Sequence, residues 1–501
     1  MSIHLLDLPP EILVLIFSHL NLPTLAACLG TNRRVKYIID GSALLQYRRA
    51  AQAACVEDNP WNTSLTSTEK LMALQKRQTA FTELRPSSIR TIPMDEFPIR
   101  NTYALCGGIF LMTEADEMSL RWFSLAMIEP VWQRLELKEA ILEFALAVPE
   151  DDLLVVMSSS TGSDAAVKLR LYEFSTQSPH PMAREAVIFL PKLLRPDPHF
   201  ELDICGSRLS LLTHLVNDEG SSIARLLVYD WKRNRLLMDI SGKYSTAIFL
   251  SHDTILLTPH DPALFELWTI PDSAQSLAGP ALTLRLPEVK SGFWVISRVE
   301  SNPKAHGSAS SCQPFDTSFT DSILTFHIVL FDEGSDKTML LIVSRRGLCQ
   351  HLPQSADEEH GKTLLWGEWG PKIARWLDAD SFGLDGWPPV THGQRCAFVL
   401  DTGSLVLYDF NPYTHRRILQ DWGNKPFHQV GSTIVDVSKE GDSSMEFMEV
   451  CKEKVISQLG YVVSETAVEF GGVMIDDEWI VGINDMIDAD GKFSLDVWHL
   501  G

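Results

Sequence analysis

The chain has 501 residues, 45% hydrophobic and 22% charged, with a net charge of −22; this is a globular composition large enough for two or more domains. Residues 1–100 carry 11 Lys+Arg against 9 Asp+Glu, so the remaining 401 residues hold a balance of −24. An acidic body of that size repels phosphate backbones and anionic lipid, which argues against nucleic-acid and membrane-surface partners. The eight cysteines have no C-x-x-C spacing, so neither a zinc site nor a disulfide framework is expected.

In chain order, the start lacks a basic segment followed by an apolar core, and Ile12–Phe17 is too short to span a membrane. A cytoplasmic or nuclear location is therefore expected. Asp7-Leu8-Pro9-Pro10-Glu11 is a helix start, with prolines suited to the first turn and acids near the positive helix end. Ile12, Leu13, Ile16, Phe17 and Leu20 follow at helical spacing until Asn21-Leu22-Pro23 breaks the helix. A second short helix begins at Thr24, and Val35, Ile38, Ile39, Leu44, Leu45 and Tyr47 supply one or two more. Helices this short cannot bury so many aliphatic faces among themselves. Each large side chain left wet costs roughly 1.5–3 kcal/mol, so another surface should cover some of them.

The run L-P-x-E-I, then Ile16, Leu20, Leu22-Pro23, Leu25 and Arg33-Arg34, resembles an F-box over about residues 4–50. That resemblance implies a three-helix module that docks the Skp-family linker subunit of a cullin ubiquitin ligase. Carried over position by position, it implies contacts from Leu8, Pro9, Ile12, Leu13, Ile16, Leu20, Leu22 and Leu25. The tryptophan usual in the last helix is absent, with Leu44-Leu45-Gln46-Tyr47 in its region. The competing reading is a helical hairpin closing one end of a larger domain.

Thr66-x-x-Glu69 has capping-box spacing, and Leu71, Leu74, Gln78, Phe81 and Leu84 make a one-sided stripe. An amphipathic helix over 67–84, ended by Pro86, would join the module rigidly to the next domain. From Tyr103 the period changes to short apolar runs separated by turns. Examples are 224–230 with 236–240, 247–250 with 254–257, 264–270, 396–400 with 404–410, and 473–482 with 493–498. Strand ends repeat a hydrophobic–aromatic–Asp signature at Val228-Tyr229-Asp230 and Leu407-Tyr408-Asp409, with looser copies at Trp268-Thr269 and Trp498-His499. Such repetition predicts a degenerate WD-like β-propeller of six to eight blades. A large β-sandwich or two stacked β domains is the second architecture. The expected chain is thus multi-domain, α followed by mainly β: 1–50 the F-box, 51–100 a helical linker, 101–501 the propeller. Segments 301–322 and 353–362 read as loop insertions.

Trp366, Trp369, Trp376 and Trp387 fall within 22 residues among Gly and Pro. They suit either a client-binding surface or the filling of gaps between blades. This patch, with Gly393-Gln-Arg-Cys396, Asp409-Phe-Asn-Pro412 and Gly472-Val-Met-Ile-Asp476, is also similar to a large F-box family of mushroom-forming fungi. Asp401-Thr-Gly-Ser404 copies the aspartic-protease signature, but no second copy exists to share a proton, so it reads as a hairpin turn. Asp488-Ala-Asp490-Gly491 fails as a calcium loop, because Met486 and Val497 would occupy ligand positions. Asp476-Asp477-Glu478, with no histidine near in sequence, reads as a solvated turn. No catalytic, cofactor or metal motif emerges, and the expected role is a non-enzymatic substrate adaptor for an unknown client. A scaffold working outside any ligase is the alternative, and a hydrolase centred on Asp401 the weakest. The acidic body favours basic clients unless Arg345-Arg346 or Arg416-Arg417 forms a positive pocket.

Overall fold

The computed structural model describes residues 5–59, 64–94, 103–160, 166–190, 199–216, 222–259, 264–273, 279–290, 292–298, 301–302, 313–331, 337–353, 361–379, 390–422, 427–430, 433–438, 451–484 and 493–501. Four helices open the chain: α1 (Pro10–Ser18), α2 (Leu22–Thr31), α3 (Arg33–Gly41) and α4 (Ala43–Ala53). The apolar spacing left three or four open, and the F-box resemblance implied three. Asn32 makes the difference: its side chain accepts from Arg34 N at 2.7 Å and starts a new helix where α2 ends. Leu13, Phe17, Leu25, Val35, Ile38, Ile39 and Leu45 form the core of this module. Helix α5 (Ser67–Glu83) comes next, and Thr66 and Glu69 complete the expected capping box.

The rest of the chain is a ring of seven blades, each built on an antiparallel meander: four blades have four strands, two have five and one has seven. Lys362–Leu364 and Ser301–Asn302 are added in parallel to two of them. In chain order the blades span 103–136, 140–189, 199–242, 244–285, 293–378, 390–467 and 472–499. The first strands of blades 1 to 5 pack beside one another in order, and that of blade 6 packs beside that of blade 7. Strand Ser88–Met94, from before the first blade, pairs with Phe493–His499 and becomes the outer strand of blade 7. The first and last strands of the propeller segment therefore close the ring. This strand also moves the expected boundary: residues 88–94 belong to the propeller and not to a helical linker. The pattern explains why, since Ile92 and Met94 alternate with exposed neighbours at period two.

Seven hydrophobic clusters fill the seven interfaces between adjacent blades. A strand covered on both faces reads as an unbroken apolar run, as in Leu153-Leu-Val-Val-Met157, every residue of which is buried. The segment 473–482 is not one strand but two, Gly472–Ile475 and Trp479–Asn484, turning at Asp476–Glu478. Asp401-Thr-Gly is a tight turn between Arg395–Leu400 and Ser404–Asp409, with Gly403 at φ +78°. Segment 488–491 lies outside the described residues. No helix among the described residues is long and apolar enough to cross a membrane.

The repeated aromatic strand end falls on the third strand of its blade, at Tyr229-Asp230, Trp268-Thr269, Tyr408-Asp409 and Trp498-His499. In blades 3 and 6 the terminal Asp sits opposite the first residue of the second strand, which is an arginine both times. Arg208 faces Asp230 at 3.5 Å, and Arg395 faces Asp409 at 3.8 Å. The degenerate signature thus marks a buried ion pair that ties two strands at one end of the blade.

Candidate functional site

Two surfaces of the helical module matter: the one it leaves open and the one by which it grips the propeller. On α1, Leu13 and Phe17 point into the module core. Ile12, Leu15 and Ile16 lie on the other side, 43%, 57% and 36% exposed. Spacings of three and four residues put them on one face, and Leu5 and Pro9 are exposed just before it.

Of the eight expected contact residues, Pro9, Ile12 and Ile16 are exposed, while Leu8 and Leu20 are half-buried against the core. Leu13 and Leu25 are corrections. Both are fully inside: α1 gives its 13/17 stripe to its own bundle, and Leu25 of α2 packs into the same core. Leu22 is also displaced, since it lines a cleft of about 570 Å³ between α2 and the propeller. Leu15, exposed on the same face as Ile12 and Ile16, is not among the expected residues, although its i+3 relation to Ile12 is readable in the sequence.

The second surface is built from turns. In a four-stranded meander the first–second and third–fourth connections share one face of the ring, and the other connections share the opposite face. The module sits on the first of these, over blades 5, 6 and 7. Strand Val56–Asp58 pairs with Phe315–Thr317, inside a segment expected to be a plain insertion in blade 5. Asn411 Nδ2 donates to Ala53 O at 2.8 Å and Ser87 N to His499 O at 2.7 Å. Lys70 Nζ and the Tyr47 hydroxyl both donate to Asp58 Oδ1 at 2.8 Å, locking α4 and α5 to the same strand.

Beneath α5 lies a buried charge cluster. Arg77, 1% exposed, lies 3.4 Å from Asp477 Oδ1 and covers the Phe315 ring at 4.5 Å. Thr317 Oγ1 also donates to Asp477. The turn at Gly393, with φ +58° and Thr317 pressed against it, places His392 and Arg395 on either side. His392 Nε2 is 3.3 Å from Asp477 Oδ1 and its Nδ1 is 3.8 Å from Asp476 Oδ1. Arg395 donates to Gln78 Oε1 at 2.9 Å and stacks on Phe81 at 4.1 Å. Asp476-Asp477 is therefore not a solvated turn. The fold brings it a histidine from 84 residues earlier and an arginine from another domain.

Burial alone would lower the His392 pKa, but the Asp477 and then the Asp476 carboxylates outweigh it and raise it. Burial would likewise raise Asp477; His392 and Arg77 outweigh that and hold it well below the carboxylate range. Burial dominates at Asp476, whose carboxyl is raised. The ligand-type atoms of His392, Asp476 and Asp477 lie within 4.8 Å of one another. A metal would compete here with Arg77 and a protonated imidazole, which already supply the positive charge. The cluster is an interdomain ion-pair network.

Trp366, Trp369 and Trp376 are buried in the cluster between blades 4 and 5 and present no open surface. Their indoles fill space between sheets, Trp366 and Trp369 donating to Ile456 O at 3.2 Å and Arg285 O at 2.9 Å. Trp387 lies outside the described residues. Arg345 is no pocket cation either: it is buried over Phe319 and donates to Ser322 Oγ at 2.8 Å and to Phe249 O.

The architecture is a helical module fixed to one face of a closed seven-bladed β-propeller. The family model for F-box-like domains matches residues 5–49, so the module is an F-box-like domain. No curated protein matches the chain. Among solved structures it is similar to the β-propeller domain of the trilobed protease from Pyrococcus furiosus. That likeness has 10% identity and TM-score 0.33, and covers 67% of this chain and 90% of that one. It is also similar to apo AztD from Citrobacter koseri, with 10% identity and TM-score 0.32, covering 74% and 90%.

Proposed function

We propose that the chain is a substrate-recognition adaptor of a Skp–cullin–F-box ubiquitin ligase. The exposed Ile12/Leu15/Ile16 face of α1 would seat on the linker subunit, and the propeller would hold a client protein. The carrying observation is that aliphatic face, left wet by a bundle whose core is already full. Catalysis in this reading is positional: a rigid joint holds client lysines near a ubiquitin donor and raises their effective concentration. The module occupies the first–second turn face of blades 5–7, which favours the opposite face for the client. The sequence likeness to the F-box family of mushroom-forming fungi agrees with this role and names no client.

Ile12→Glu with Ile16→Glu should abolish capture of a Skp-family subunit and cullin while leaving thermal unfolding unchanged. Leu13→Glu should instead unfold the module. Retained capture by the double variant would reject this docking face. Capture of the linker subunit without a cullin would favour the second reading, a scaffold that uses its helices outside a ligase.

A further inference from the structure

The helical module also carries an electrostatic feature that opposes the rest of the molecule. Residues 33–49 hold five Lys/Arg (Arg33, Arg34, Lys36, Arg48, Arg49) against one acid, Asp40, within a chain of net charge −22. Helix α3 buries Val35, Ile38 and Ile39 in the module core and turns Arg33, Arg34, Lys36 and Tyr37 outward. Tyr37 is 81% exposed at the centre of this face. Asp40 pairs with Arg49 at 3.5 Å; among the described residues Arg33, Arg34, Lys36 and Arg48 have no ion-pair partner. Two of these cations also stand in the first helical turn, where no acid accompanies them. Positive charge there opposes the helix dipole and weakens the helix. Folding of α3 is thus served poorly by these residues, and the Asn32 side chain supplies the cap that they do not.

We propose that this outward face of α3, with Arg48, steers and holds an acidic polypeptide segment of the subunit that seats on α1; the inference rests on the adaptor reading above. An exposed tyrosine among unpaired cations is a composition that interfaces favour. Helices α1 and α3 pack on each other in one small core, so their outward faces lie at most about two helix diameters apart and one partner subunit can reach both. A phosphate chain extending beyond the module would meet the acidic body, whereas a short acidic protein segment need not, and that decides between the two. Complementary charge acts mainly on the association rate.

The test uses the full chain and a purified Skp-family subunit, with association and dissociation rates measured between 50 and 500 mM NaCl. In the variant Arg33→Glu/Arg34→Glu/Lys36→Glu, association at low salt should fall about tenfold or more and lose most of its salt dependence. Dissociation should change little. The substituted acids favour the helix N-terminus, so the variant should melt no lower than the native chain, which separates lost binding from lost folding. Equal rates and equal salt slopes in the two proteins would overturn this inference and leave the adaptor reading standing. Failure of the native chain to bind the subunit at any salt would overturn both. A native chain that holds a duplex DNA oligomer more tightly than a 20-residue polyglutamate would replace the acidic protein with a nucleic acid.

Discussion

Arg77 faces Asp477 from a helix that belongs to the module, while Asp477 belongs to the last blade. Arg77→Ala should leave a buried carboxylate pair short of its counter-charge and destabilise the protein by roughly 3–5 kcal/mol, measured by chemical denaturation. His392 adds a pH dependence. Its folded pKa is raised above the ordinary value of about 6.5, so its contribution is fully present below that pH. The contribution is then lost as pH rises through the folded value. The melting temperature should fall on the alkaline side of neutrality, and His392→Gln should flatten that fall. A profile that rises from pH 6.5 to 9 would contradict the assignment. Glu139 has the opposite sign: burial would raise it, but Lys168, Arg170 and Ser158 hold it down to about 2. Its share is present above the normal carboxylate range and is lost only as the solution becomes strongly acidic.

Strand Ser88–Met94 carries the ring closure, since its seven residues pair in register with Phe493–His499. Ile92 is buried between blades 7 and 1. Ile92→Asp would place a carboxylate in that cluster without a partner, and the cost should be several kcal/mol. Calorimetry should show the main propeller transition moving down, beyond any effect on the module alone. A change confined to a minor early transition would mean that closure does not depend on this strand. The arginine–aspartate pair that closes blades 3 and 6 gives the aromatic strand signature its physical content. It also explains why the signature survives without the usual dipeptide: the pair needs only a carboxylate at the strand end and a cation opposite it.

For the whole molecule, orientation is the quantity on which the proposed adaptor role depends. The module is tied to blades 5, 6 and 7 by a shared two-stranded sheet, backbone hydrogen bonds and the charge cluster. Many separate ties to one face leave little freedom for the module to swing. Cross-linking or solution scattering should find one module–propeller arrangement for the native chain, broadening in Arg77→Ala at pH 7. A broad distribution in the native protein would remove the positional account of catalysis.

The sequence by itself determined what is local. A helix reports its stripe, its caps and its terminating residues within a few positions. Hence the early helices, the capping box at Thr66 and Glu69, the Asp401 turn and the repeated strand ends were all readable in order. The division of α1 was only half readable, because the spacing shows two aliphatic stripes without saying which one the bundle keeps. Tertiary structure decided the rest. It gave Ser88–Met94 to the last blade, hid the three described tryptophans between sheets and joined Arg77, His392 and Asp477 in one cluster. These contacts join residues tens to hundreds of positions apart. Burial and charge pairing depend on distance in space, which a closed ring sets only when all seven blades are in place.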